Sequence, residues 1–378
     1  MKNRLVQESD PMHAPKSFRK GPLRDVRVVE FAGLGPASFA GMLLADLGAD
    51  VVRIDRPGVA SPEAGATLRG RIRLAIDLRE PAGREQATAL IANADVVIEG
   101  FRPGVMERLG LGPEEMLTIQ PRLVYGRMTG WGQHGPRAQS AGHDINFIAV
   151  AGALNSIGDG GAPCPPLNLV GDYGGGALYL VMGILAAVLD ARRSGEGQVI
   201  DCAICDGVVS LLSLTHGLLN ENRWNDEPFA NVLDGAAPFY RTYECADGRF
   251  LAVGAIEPAF YEEWLTRAGL ANNSLFKDQR DPSKWDAQRA EAARTFALRT
   301  LDEWMDVFAN CDACVTPVLS FEESREEPHL VARGAFTDIG GYSQPAPCPR
   351  FSKTPTTARA SMSAASVQDV LADWCRTV

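Results

Sequence analysis

Residues 26–55 read Val26-Arg27-Val28-Val29-Glu30-Phe31-Ala32-Gly33-Leu34-Gly35-Pro36-Ala37-Ser38-Phe39-Ala40-Gly41-Met42-Leu43-Leu44-Ala45-Asp46-Leu47-Gly48-Ala49-Asp50-Val51-Val52-Arg53-Ile54-Asp55. A β-branched run at 26–31 has strand character. Pro36 is placed to open a helix over 36–47, and a second apolar run at 51–55 closes the unit. A strand, a helix and a strand joined by short turns imply a parallel pair with a crossover helix. Downstream, 74–78, 96–99, 123–128 and 199–204 read as further strands, with a helix over 81–93. The longest helical stretch, 173–193, ends in Arg192-Arg193 before Gly195, a normal stop. The expected fold class is α/β, with a Rossmann-like parallel sheet.

The texture changes after about residue 225. Two strands at 239–244 and 249–254 flank Asp247-Gly248, a hairpin signal, and helices are expected at 258–268 and 286–297. This predicts a smaller α+β domain over 236–330, a linker over 216–235 and a large domain over 21–215. Residues 342–355 read as an extended segment and 366–375 as a last helix. The chain over 331–378 is assigned back to the large domain, and 1–20 reads as a flexible leader.

The chain has 378 residues and a net charge of −10, which argues against nucleic-acid binding. The apolar run 177–189 is shorter than a bilayer span, and the N-terminus has no apolar signal core. No membrane partner is expected, and the location expected is cytoplasmic. Among eight cysteines, Cys202/Cys205 and Cys311/Cys314 form C-x-x-C pairs. The pairs lie too far apart for a zinc ribbon, so reduced, packed thiols are expected and no metal.

The acidic balance is uneven, and the first 110 residues hold an arginine supply: Arg53, Arg56, Arg69, Arg71, Arg73, Arg79, Arg102 and Arg108. Arginine forks suit phosphates, although a solvated mixed surface looks the same in sequence. Gly33-Leu34-Gly35 with Asp55 some twenty residues on is most of a dinucleotide fingerprint. Ser38 stands where the third glycine belongs and Arg56 follows Asp55, so NAD is not expected.

Two stretches carry chemistry: Gly142-His143-Asp144-Ile145-Asn146-Phe147 and Gly171-Asp172-Tyr173-Gly174-Gly175-Gly176. An imidazole can both accept and donate a proton, so His143 is a candidate for proton exchange. Asp172 reads as a carboxylate opening a helix, and the glycines after it imply close approach to the backbone. A capping role for Asp172 and a structural role for His143 fit the same residues. Glu257 stands between a strand and a helix, where a carboxylate also favours the dipole.

The sequence resembles the family III CoA-transferase superfamily, and within it is similar to the α-methylacyl-CoA racemases, over about residues 22–360. The carrying stretches are Arg27-Val28-Val29-Glu30, residues 47–57, Glu99-Gly100-Phe101-Arg102-Pro103-Gly104, and Met128-Thr129-Gly130-Trp131-Gly132-Gln133-His134-Gly135-Pro136. The Gly-His-Asp-Ile-Asn motif followed by an aromatic, with Glu257, points to the racemase branch. The resemblance implies His143 and Asp172 as the two acid/bases of an epimerisation at C2 of a 2-methylacyl-CoA, a step of lipid metabolism, with Glu257 pairing to the histidine. It implies CoA contacts at Arg56, at Ile76, Asp77, Leu78 and Arg79, at Gly100, Phe101 and Arg102, and at Arg108. Gly142, Asp144, Ile145, Asn146 and Phe147 would line the acyl-thioester end. The spacing of Arg69-Gly70-Arg71-Ile72-Arg73 departs from the basic cluster of the family. No cofactor is implied beyond the CoA of the substrate. The family's form is an interlocked homodimer, in which Glu257 comes from the chain opposite His143 and Asp172. The alternative is CoA transfer between carboxylic acids with Asp172 as nucleophile.

Overall fold

The computed structural model describes residues 20–33, 35–59, 65–364 and 366–375. Apart from Lys20, the leader expected at 1–20 lies outside the described residues. The chain divides into two compact units. The first takes in the described residues up to Phe147, then Leu167–Ser210 and those from Ala332 on; the second is Ile148–Pro166 with Leu211–Val331. Residues 148–166 thus group with the second unit, a detour that no change of composition marks.

The first unit begins β1 (Arg27–Phe31), α1 (Pro36–Asp46), β2 (Asp50–Asp55), β3 (Arg71–Ala75), α2 (Pro81–Ile91) and β4 (Val96–Glu99). It continues through α3 (Val105–Arg108), α4 (Pro113–Ile119) and β5 (Val124–Thr129) into α5 (Asp144–Val150). After the excursion come a π-helical turn (Leu169–Ala177), α6 (Leu178–Ser194), β6 (Gln198–Ala203) and α7 (Ile204–Leu211). Every neighbouring pair in its seven-stranded sheet is parallel, in the order β12-β3-β2-β1-β4-β5-β6, where β12 is Met362–Ser363. Connections reverse direction between β1 and β4, so the loops after those strands diverge at a crevice where α/β sheets bind ligands.

One face of the sheet is apolar. Val29, Phe31, Val52, Ile54, Leu74 and Val97 pack with helix residues such as Leu90, Ile91, Val370 and Trp374. The α1 face is not. Glu30 is fully buried and accepts from Arg53 and from Arg71 Nε at 2.9 Å. Arg53 also donates to Ser38 Oγ at 2.8 Å and Asp55 at 3.0 Å, and Arg71 reaches the Ser38 and Thr67 carbonyls. Arg73 closes onto Asp55 at 2.6 Å, and Arg69 holds Asp46 with both prongs of its fork. This network explains why β3 lies three residues before its expected position at 74–78. Arg71 and Arg73 look like loop residues in sequence but are strand residues neutralised from the neighbouring strands.

The long apolar helix is also longer than the run at 177–189. Leu169–Ser194 is helical throughout and, by length and composition, long enough to cross a membrane, yet half of it is buried. Leu180, Val181, Ile184, Ala187, Val188 and Ala191 form its buried stripe.

The second unit holds α8 (Ser213–Asn220), β7 (Tyr240–Glu244), β8 (Phe250–Gly254), α9 (Pro258–Ala268), α10 (Trp285–Phe296), α11 (Leu301–Val307), β9 (Val315–Pro317) and α12 (Glu323–Glu326), with α13 (Pro328–Ala332) at its edge. Strands β7, β8 and β9 are antiparallel, and Gly248 takes the positive φ that the hairpin turn needs. Phe239, Tyr243, Tyr261, Trp264, Phe296 and Trp304 dominate its core. Within the segment expected as linker, Ser213–Asn220 is helical. The chain then returns to the first unit through the hairpin β10 (Phe336–Ile339) and β11 (Tyr342–Pro345), edge strand β12 and α14 (Val367–Cys375).

A Cβ at Gly41 in α1 would stand 2.3 Å from Glu30 Oε2 and 2.8 Å from Arg71 Nη2. Gly41→Ala is therefore expected to destabilise the protein by about 1–3 kcal/mol through overpacking. Glu30→Gln, which leaves the buried Arg71 guanidinium without its carboxylate and takes one of two from Arg53, is expected to cost about 3–5 kcal/mol. Urea unfolding checks both, and a Gly41→Ala midpoint equal to or above that of the parent would contradict the packing.

Candidate active site

The residues after β5 fold back as a tight loop, and the chain re-enters helix at α5. His143 is the exposed residue just before it, Asp144 the first helical residue. Asn146, three residues on, accepts the His143 N–H at 3.0 Å, while the His143 carbonyl accepts from Asn146 N at 2.8 Å. This is half of a capping box, and it fixes the backbone from which His143 projects. Ile145 is exposed and Phe147 buried, its ring edge-on to Trp131 at 4.8 Å.

Asp172 is expected at a helix start with free backbone donors. Instead it lies within the π-helical turn, a wide geometry common at functional sites. Its N–H donates to Asp144 Oδ2 at 2.6 Å, and Tyr173 N–H donates to the Asn168 carbonyl at 3.2 Å. Neither N–H is thus left over for a developing oxyanion. The structure brings His143 and Asp172 together through one side chain, since Asp144, adjacent to the histidine, holds the aspartate backbone. Asp144 is buried, and its other oxygen has no donor among the described residues. The Asp172 carboxylate lies against Gly35, where a Cβ would stand 3.2 Å from Oδ2, and Tyr173 stacks on Phe39 at 4.1 Å. The loop after β1 and the Asp172 turn thus form one surface at the crevice.

The glycines after Asp172 also take a different meaning. A Cβ at Gly175 would meet Val208 N at 2.9 Å, and one at Gly176 would meet Ile204 Cγ1 at 3.0 Å. What approaches Gly175 and Gly176 closely is α7.

The candidate CoA residues follow carboxyl ends of strands, except Arg108, which ends α3. Arg56 follows β2; Ile76, Asp77, Leu78 and Arg79 follow β3; Gly100, Phe101 and Arg102 follow β4. Ile76 is buried and structural, while Arg79 folds onto Asp77 at 2.9 Å and holds that carboxyl well below its usual range. Phe101 donates its N–H to Glu99 at 2.7 Å. The arginine supply divides sharply: Arg53, Arg69 and Arg71 are buried with carboxylates, whereas Arg56, Arg102 and Arg108 are exposed and carry no ion pair among the described residues. A cavity of about 390 Å³ opens beside Pro103, Gly104, Arg127 and Gln133. Asp55, in the position of a ribose-binding acid, is already held by Arg53 and Arg73, and Ser38 serves Arg53.

Glu257 belongs to the second unit, exposed at the N-cap of α9 with Pro258 as the first helical residue. It lies near enough to Cys314 to help raise that thiol's pKa, after burial. Cys202 and Cys205 are free thiols, and burial pushes them up to about 12 and about 11.

The profile of CoA-transferase family III matches residues 23–362. The mouse (Mus musculus) α-methylacyl-CoA racemase is 46% identical over 88% of this chain and 87% of its own length; the human (Homo sapiens) α-methylacyl-CoA racemase is 43% identical over the same shares. Among solved structures, a CAIB/BAIF family protein from Brucella suis superposes with a TM-score of 0.79 at 26% identity, covering 94% of this chain and all of that one.

Asp144→Ala is expected to free the Asp172 N–H and cost about 1–3 kcal/mol. Hydrogen exchange of the 168–177 segment should accelerate relative to α6. Unchanged protection there would contradict the bridging role.

Proposed function

The chain belongs to CoA-transferase family III, and we propose that within it this protein is an α-methylacyl-CoA racemase, epimerising 2-methylacyl-CoA thioesters at C2. The observation that carries the reading is the Asp144 bridge, which ties an exposed histidine and a carboxylate to one rigid crevice. A C2 proton passes to one of them and the bonding pair moves into the thioester carbonyl, giving a planar enolate. The other delivers a proton to the opposite face, and the enolate electrons return to form the new C2–H bond. Each group must alternate between acid and base, so one rests protonated and the other not. The transfer consumes no redox equivalent, and CoA arrives with the substrate.

Arg56, Arg102 and Arg108 are exposed cations suited to the CoA phosphates. Glu257 fits as the acid that orients the histidine, contributed in a homodimer by the other chain. An exposed apolar row on α6, Leu178, Met182, Leu185 and Leu189, supports burial against a second copy.

Incubation with one epimer of a 2-methylacyl-CoA in D2O is expected to give deuterium at C2 and the opposite epimer. His143→Ala and Asp172→Ala should each lower epimerisation by about 10²-fold or more. Transfer of CoA to a free carboxylate, without C2 exchange, would assign Asp172 the role of nucleophile instead.

A further inference from the structure

We propose that Trp131 is a positioning residue for His143, acting through an aromatic contact rather than through a hydrogen bond. The inference rests on His143 being one of the two proton-transfer groups.

The loop that carries Trp131 is fixed from below. Gly132 N–H donates to Thr129 Oγ1 at 2.9 Å, Gln133 N–H donates to Asp201 at 3.0 Å, and the Gly130 carbonyl accepts from Cys205 N at 3.2 Å. These bonds tie the loop to the carboxyl ends of β5 and β6. The indole stands on this base with the Arg137 guanidinium 5.4 Å from its centroid. Its Nε1 is buried with no acceptor among the described residues. The ring is therefore retained although its N–H gains nothing locally, which places its value in shape.

That shape meets the His143 turn twice. Phe147 sits edge-on to the indole at an interplanar angle of 82°, and Phe147 N–H donates to the His143 carbonyl at 3.3 Å. A Cβ at Gly142 would lie 3.3 Å from Trp131 Cζ2 and 2.7 Å from Phe147 Cε1. A Cβ at Gly130 would fall 2.1 Å from the Phe147 ring. Two glycines thus make room for one phenyl ring, and Trp131 closes the remaining side. The residue before the histidine and the residue four after it both rest on the indole. Removing it lets the turn shift on one side of the substrate only. The shift is largest at Gly142 and His143, which precede the helix that starts at Asp144, whereas Asp172 is bonded to Asp144 and set against Gly35.

The test separates this role from a general loss of fold. For each C2 epimer in D2O, two rates are measured: epimerisation, and deuterium uptake with retained configuration. Epimerisation needs both groups, whereas retained exchange on the Asp172 side needs Asp172 alone. Trp131→Ala is expected to lower epimerisation by about 10–10²-fold, the scale of a displacement near 1 Å. Retained exchange of one epimer should persist, as in His143→Ala. Trp131→Phe, which keeps an aromatic edge, should restore the ratio of the two rates to within about threefold of the parent, a window far narrower than that shift. Gly142→Ala, whose Cβ would press on the Phe147 and Trp131 rings and so disturb the same turn with the indole still present, should shift it as Trp131→Ala does and serves if that variant is insoluble. An unchanged ratio in Trp131→Ala or Gly142→Ala, or a Trp131→Phe variant indistinguishable from Trp131→Ala, overturns the proposal. A parent enzyme showing neither rate would instead refute the racemase reading.

Discussion

A single buried carboxylate, Glu30, organises the first unit. It sits on the central strand, receives one guanidinium from β2 and another from β3, and lies beneath α1 at the glycine that makes space for it. Breaking such a cluster costs far more than forming it stabilises, because each partner left behind is an uncompensated buried charge. The cluster therefore acts on register more than on net stability. It pins three strands and the first helix in one relation, and through Ser38 it fixes the loop after β1. Gly35, at a φ of +63°, ends that loop against Asp172. The position of the Asp172 carboxylate is thus tied to a buried ion cluster on the far side of that loop.

The same cluster sets the limit of what could be read in the chain. The strand–helix–strand opening, the hairpin around Asp247-Gly248, the helix over 258–268 and the terminal helix all follow from local pattern, and all are found within a few residues of their expected places. Strand β3 is displaced because hydropathy treats Arg71 and Arg73 as loop residues; only tertiary pairing makes them strand. For the same reason an arginine count could not sort structural guanidiniums from those free to meet phosphate. Edge strand β12 has two residues and no pattern of its own, so it exists only as an addition to β3.

At the site, residue types were legible and relations were not. The bond from His143 N–H to Asn146 is local, half of a capping box three residues apart. The bond from Asp172 N–H to Asp144 spans 28 residues and depends on the π-helical turn, which no propensity announces. The glycine run after Asp172 carries a true signal of close approach, but sequence does not name the approaching body, and here it is α7. Trp131 belongs to a stretch whose family likeness was plain, yet a tryptophan in a loop says nothing about which turn it supports.

Proton transfer and acyl transfer make different demands on the same aspartate, and the geometry bears on which is met. A nucleophile needs one oxygen aligned on a carbonyl carbon and tolerates a mobile opposite wall. A two-sided proton transfer needs a second group at a fixed separation across a planar intermediate, since barriers rise steeply with the distance a proton must cross. Asp144 joins the backbone of one group to the residue beside the other, which limits how far the two can separate on that side. The aromatic contact beneath Gly142 removes the remaining freedom of the histidine turn. On the His143 side of the crevice the chain sets two glycines, a phenylalanine and a tryptophan against the turn, a packing that a second proton-transfer group would use and a lone nucleophile would not require.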